Sequence, residues 1–175
     1  MIISLRSFLF VAVTTGFSSI LSVIGGTGLE AVSDKVLPLV PLLIALPALN
    51  TLVGDYSSII AAHTGDKSER KRTHREVFRA IFKVIAINIA AICLLSIALA
   101  VKRGYLDPVF FVKFTLFVSI SVVIIVIFMF GINKSLDRLL LKKGFYPDDL
   151  LIPVSTGLAD LTMLTFVTLA VLFIF

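Results

Sequence analysis

The chain is poor in the residues that most often carry chemistry in a soluble protein. It has one cysteine, Cys93, which excludes a disulfide framework and a thiolate metal site. Its two histidines, His63 and His74, lie in or beside a charged loop, which leaves little for zinc binding or Ser-His catalysis. Charged residues make up 15%, where an average soluble chain carries about 25%. No nucleophile–base set and no cofactor motif is visible, so an enzyme is not expected. What abounds is apolar: 58% of residues are hydrophobic, and the mean hydropathy is +1.08. A soluble domain of 175 residues has too much surface for its volume to hide that much apolar area. A soluble domain, a disordered chain and a nucleic-acid-binding module are therefore excluded. The net charge of +5 is read through where its residues sit.

A membrane-spanning helix needs about 20 mostly apolar residues. Five stretches qualify, at 5–24, 36–62, 80–101, 109–131 and 150–175, together 118 of the 175 residues. They are too long, and too little alternating, for the strands of about 10 residues in a membrane barrel. The expectation is a single all-α membrane domain over 1–175, with short connections and no cytosolic regulatory domain. The first stretch could be taken for a signal peptide, with Arg6 before an apolar run. Its length and the lack of an Ala-x-Ala-like cleavage site argue against that reading.

The second loop holds Lys67, Arg70, Lys71, Arg72, Arg75 and Arg79, and the fourth holds Lys134, Arg138, Lys142 and Lys143. The first and third hold only Lys35, Lys102 and Arg103. Ten against three puts the second and fourth loops in the cytoplasm of a cell-membrane protein. The amino terminus is then inside and the carboxyl terminus outside. Binding of anionic lipid or a partner is a second reading of the basic loops; a topology signal on solvated loops explains them without one.

Two carboxylates fall inside the apolar stretches: Asp55 and Asp160. A charge at mid-bilayer costs about 2.5–3.5 kcal/mol on insertion scales, so such a residue faces a wet path, an ion or a partner, or is tied to neighbours for packing alone. With a rise of 1.5 Å per residue, Asp55 lies about 10 Å and Asp160 about 15 Å from the inner surface. Two antiparallel helices would thus bring them to similar depth. Thr156 precedes Asp160 by one helical turn. Asn50, Gly54 and Ser58 form a second i, i+4 stripe beside Asp55. These are oxygen ligands and small residues, suited either to a cation path or to close helix packing.

Pro38, Pro41 and Pro47 in the second stretch can each free a carbonyl, and Pro153 is expected in the first turn of the last helix. Lys113 is expected to snorkel to the outer face. Asn88 can bond across helices, and Cys93 should behave as a small apolar residue. His63 ends the second stretch as a solvated residue or a pH sensor. Thr162, Thr165 and Thr168 should bond back to their own helix. The run at 122–127 reads as lipid-facing or interfacial filler.

The order of these features resembles the membrane domain of the MgtE family of magnesium transporters, related to the halves of solute carrier family 41. The segment PLVPLLIALPALNTLVGDYSSIIAAHTGD is similar to the family's second helix. KKGFYPDDLLIPVSTGLAD is similar to its last connection and fifth helix, with Pro153, Thr156 and Asp160 as anchors. The family's Gly-Asn pair reads Gly54-Asp55 here, an arginine near the end of that helix reads His63, and the turn reads Tyr146-Pro147-Asp148-Asp149. The resemblance implies a homodimer with its pore at the subunit interface and the fifth helices supplying the Asp. It implies magnesium as the bound and transported ion, held with its waters by Asp160, Asp55, Thr156, Asn50 and Ser58. The family's magnesium-sensing gate has no counterpart in these residues. A sodium- or proton-coupled cation exchanger and a non-transporting membrane scaffold are the competing readings.

Overall fold

A computed structural model describes the backbone of residues 5–65, 73–142 and 148–175, and the side chains of 12–62, 79–140 and 151–175. Within them the chain is helical: α1 (Leu5–Glu30), α2 (Ser33–Val36), α3 (Val40–Gly65), α4 (Thr73–Lys102), α5 (Pro108–Lys142) and α6 (Asp148–Phe173). All but the four-residue α2 are long and apolar enough to cross a membrane, over Ala12–Glu30, Val40–Ala62, Arg79–Lys102, Pro108–Leu140 and Leu151–Phe173. The chain is a multi-pass membrane protein with the five apolar helices read from its sequence.

Side-chain pairs fix the helix directions. Ser18 meets Gly157, and Ser22 meets Asp160, so α1 and α6 run parallel. Gly54 meets Thr156 and Asp160, and Ser57 meets Ser155, so α3 runs against α6. Asn133 meets Ser155, and Lys113 meets Ile174, so α5 also opposes α6. The alternation is that of a chain crossing a membrane five times. α6 is the central element: α1 packs along one side of it, while α3 and α5 pack along others, and α4 packs on α3 and α5. The core between α3, α5 and α6 is filled by Leu42, Leu49, Val53, Phe114, Val118, Val122, Ile125, Met129 and Met163.

Helix ends follow local chemistry. At the α4–α5 connection the Tyr105 amide bonds to the Ala100 carbonyl and the Gly104 amide to that of Val101. This is a Schellman closure, and Gly104 takes the left-handed φ of 85° it requires. Asp107 Oδ1 then accepts from the amides of Val109 and Phe110 at 3.0 and 3.1 Å. That is an N-cap followed by proline at the first helical position.

Several boundaries differ from the sequence expectation. The first helix runs on through Gly25, Gly26 and Gly28 to Glu30, because Gly25 and Gly28 lie against Leu161, Leu164 and Thr168 of α6. The second stretch is broken after Val36, so α3 starts at Val40. Pro38 lies in the break and Pro41 in the first turn, where no ladder bond is lost; Pro47 alone is inside the helix. Pro153 lies inside α6, which starts at Asp148 rather than at 150. α5 continues eleven residues past Gly131, to Lys142. Its charges did not stop it because Lys134 and Arg138 are exposed while Asn133 and Asp137 turn inward. The run at 122–127 is split: Val122, Ile125 and Val126 are core, and Ile124 and Ile127 are exposed.

Candidate cation site

Asp160 sits near the middle of α6, a helix with no Lys or Arg. It is half-buried, and two helices reach it. From α1, Ser22 Oγ donates to Asp160 Oδ2 at 2.8 Å. From α3, the Asn50 side chain hydrogen-bonds to the same carboxylate. Hydrogen bonds to an ionised acceptor are among the stronger ones. Asn50 Oδ1, however, is buried and has no hydrogen-bond partner. An unpaired buried acceptor costs about 1–3 kcal/mol.

One turn toward the start of α6, Thr156 Oγ1 and Ser58 Oγ of α3 lie 3.0 Å apart. Gly54 lies between these levels: a Cβ there would be 3.5 Å from Thr156 Cγ2 and 3.8 Å from Asp160 Oδ1. The Asn50–Gly54–Ser58 stripe thus faces α6 as a unit. Of the five residues proposed from sequence, the structure brings together Asp160, Asn50, Thr156 and Ser58. Asp55 follows Gly54 and so shares the level of Asp160, but it is turned round the helix and exposed.

The approach of α1 is set by Gly157. A Cβ on Gly157 would lie 2.5 Å from Ser18 Oγ, 2.7 Å from Ser18 Cα and 2.9 Å from the Ser18 carbonyl oxygen. Only glycine admits this contact, and it is what puts Ser22 within reach of Asp160. Sequence reasoning missed Ser22. The signal was its place among Ser18, Ser22, Gly25 and Gly28, a small-residue stripe on α1 comparable to the one recognised on α3.

A second polar cluster lies below. Ser57 Oγ donates to the Ser155 carbonyl at 3.1 Å, and Asn133 Nδ2 donates to the Ser57 carbonyl at 3.3 Å. Ser155 Oγ donates to Asn133 Oδ1. Asn133 and Ser155 are wholly buried. One turn further along α5, Asp137 is also buried, 4% exposed. With Asp160 it is the second carboxylate turned into the bundle among the described residues, and the early sequence boundary of the fourth segment had left it in a loop.

Other expectations resolve simply. Asn88 Nδ2 donates to the Tyr56 hydroxyl at 2.8 Å, across α4 and α3. Thr162, Thr165 and Thr168 bond to carbonyls four residues back. Cys93 is free and buried. Lys113 is exposed and donates to the Ile174 carbonyl at 3.2 Å. The side chains of Arg6 and His63, of the basic residues from Lys67 to Arg75, of Lys142 and Lys143, and of 146–149 lie outside the described residues.

Among the described residues no three His, Cys, Asp or Glu side chains gather in a metal-binding group. One chain offers a single carboxylate ringed by neutral oxygens. That donor set suits a cation that keeps its water, as magnesium usually does, and not a fully stripped divalent ion. Comparison with protein-family models, curated proteins and solved structures returns no match.

Proposed function

We propose that this chain forms a path for a hydrated divalent cation, magnesium first, across the membrane, with Asp160 as the principal ion-holding group. One observation carries the reading. A carboxylate in the middle of an apolar helix is fixed by donors from two other helices, has no cationic side chain on its own helix, and lies beside a buried amide oxygen with no partner. A buried acceptor of this kind usually has a protein or water partner. A cation carrying water would serve both: the carboxylate gains a counter-charge, and Asn50 Oδ1 gains a donor.

Thr156, Ser58 and Asn50 supply neutral oxygens that replace hydrogen bonds of the ion's outer water. Ser22 holds the carboxylate in place. Asp55, exposed in the single chain, faces outward from the same level. A second copy of the chain would bring two more carboxylates there, and mutual repulsion between carboxylates favours a divalent ion. The homodimer of the MgtE resemblance agrees with this requirement. The family relation, the dimer and magnesium itself are parts of the proposal.

The test is magnesium flux into liposomes containing only this chain, read with an internal magnesium dye. Wild-type protein should conduct. Asp160→Asn, which removes the charge and nearly keeps the volume, should lower the flux about tenfold or more, a loss of about 1.4 kcal/mol or more. A folded Asp160→Asn protein with undiminished flux would overturn the assignment. Wild-type protein without flux for any divalent ion would favour the scaffold reading, in which Ser22–Asp160 is an assembly contact.

A further inference from the structure

A groove of about 410 Å³ lies between α5 and α6, away from Asp160. Its walls are apolar, with Leu116, Phe117 and Ile120 on α5 and Phe166, Leu169 and Phe173 on α6. One charged residue, Lys113, lines it. We propose that this groove binds one acyl chain of an anionic phospholipid whose phosphate is held by Lys113.

The groove is polar along its length in the same sense as a lipid. Lys113 is five residues past Pro108 where α5 begins, and it meets Ile174 just past the end of α6. It therefore marks the end nearer the membrane surface. From there the apolar walls run inward to Ile120 and Phe166, about 10 Å at 1.5 Å per residue. Headgroup and tail of a lipid standing in its leaflet meet the charge and the apolar walls in that order.

Charge singles out an anionic headgroup. The ammonium of Lys113 has three donors. One goes to the Ile174 carbonyl, and two are left for a phosphate. Lys102 and Arg103, both exposed, lie at the same end of the bundle. Three acidic residues, Glu30, Asp34 and Asp107, lie at that end as well, and Asp107 has Oδ1 committed to the cap of α5. A basic residue close to an anionic lipid surface contributes about 1 kcal/mol, which is about a fivefold preference.

The chain has no tryptophan, so a single introduced Trp reports cleanly. Leu169→Trp places the probe in the groove wall. Leu99→Trp on α4 is the control, since both leucines are 47% exposed and each lies within about one turn of its helix end. The protein is reconstituted in vesicles containing small amounts of phosphatidylglycerol or phosphatidylcholine with brominated chains. Leu169→Trp should be quenched about fivefold more effectively per mole by phosphatidylglycerol than by phosphatidylcholine, and Leu99→Trp, beside Lys102 and Arg103, by a ratio that does not change when Lys113 is replaced. Adding Lys113→Gln should remove the preference, and Lys113→Arg should keep it. If Leu169→Trp expresses poorly, Leu116→Trp on the facing wall takes its place. Equal quenching by the two lipids at the groove would overturn the proposal. So would a probe that no lipid quenches, which would mean that a second copy covers the groove. Neither outcome depends on whether the chain conducts magnesium.

Discussion

Asp55 and Asp160 show how differently one residue type can be placed in one bundle. Asp160 is fixed by Ser22 and Asn50; Asp55 is exposed. Replacing an exposed side chain usually changes stability by no more than about 0.5 kcal/mol. Asp55→Asn should therefore leave the melting temperature nearly unchanged while altering the concentration at which magnesium flux saturates. A large loss of melting temperature with unaltered saturation would mark Asp55 as a packing residue. Ser22→Ala frees one carboxylate oxygen of Asp160 from its donor. It should weaken the ion dependence of flux, and Ser22→Thr, which keeps the hydroxyl, should restore it.

At the scale of elements, two of the contacts that join α6 to its neighbours make separate predictions. On one side, the Ser18–Gly157 approach brings α1 within backbone contact. Gly157→Ala puts a methyl against the Ser18 backbone, which cannot yield as a flexible side chain would. Overpacking of this kind costs about 1–3 kcal/mol, and α1 must move off, breaking the Ser22–Asp160 bond. The expected result is a lowered melting temperature and lost cross-linking between cysteines placed on α1 and α6. Gly157→Ala with wild-type melting and cross-linking would show that α1 is not held at this point. On the other side, Asn133 joins α5 to both α3 and α6 through Ser57 and Ser155. Asn133→Ala takes the acceptor from the buried Ser155 hydroxyl and a second donor from the Ser57 carbonyl, at about 1–3 kcal/mol, and should destabilise the protein although Asn133 touches neither Asp160 nor Asn50.

At the scale of the whole molecule, the alternating helices leave orientation as the open variable. Ten basic residues in the second and fourth connecting regions against three in the first and third predict, by the positive-inside rule, an α4–α5 connection on the outside. Lys134 and Arg138 are on the extension of α5 rather than in a loop, but they remain at the same end and the asymmetry stands. Leu106 lies in that connection and is 72% exposed, while Cys93 is buried. A Leu106→Cys protein should react with a membrane-impermeant maleimide in intact cells. Reaction only after lysis would invert the topology and the depths assigned to the carboxylates.

The sequence by itself determined the class. Five apolar runs leave the backbone one way to satisfy its hydrogen bonds in lipid, so number, type and approximate limits of the helices were legible. The α3 stripe and the Thr156–Asp160 spacing were legible too, because helical periodicity is local. Three things were not. Ser22 became part of the site only because Gly157 admits α1, a contact between residues 18 and 157 that no local pattern encodes. Asn133 and Asp137 looked like residues at the start of a charged loop until α5 ran on, turning Asn133 toward Ser57 and Ser155 and burying Asp137. Asp55 was placed at a depth similar to that of Asp160, and it is exposed because the neighbouring face of α3, that of Gly54, is the one that packs on α6. Which side chains share a face follows from the sequence; which faces meet is decided by how closely the helices can approach, and tertiary packing alone sets that distance.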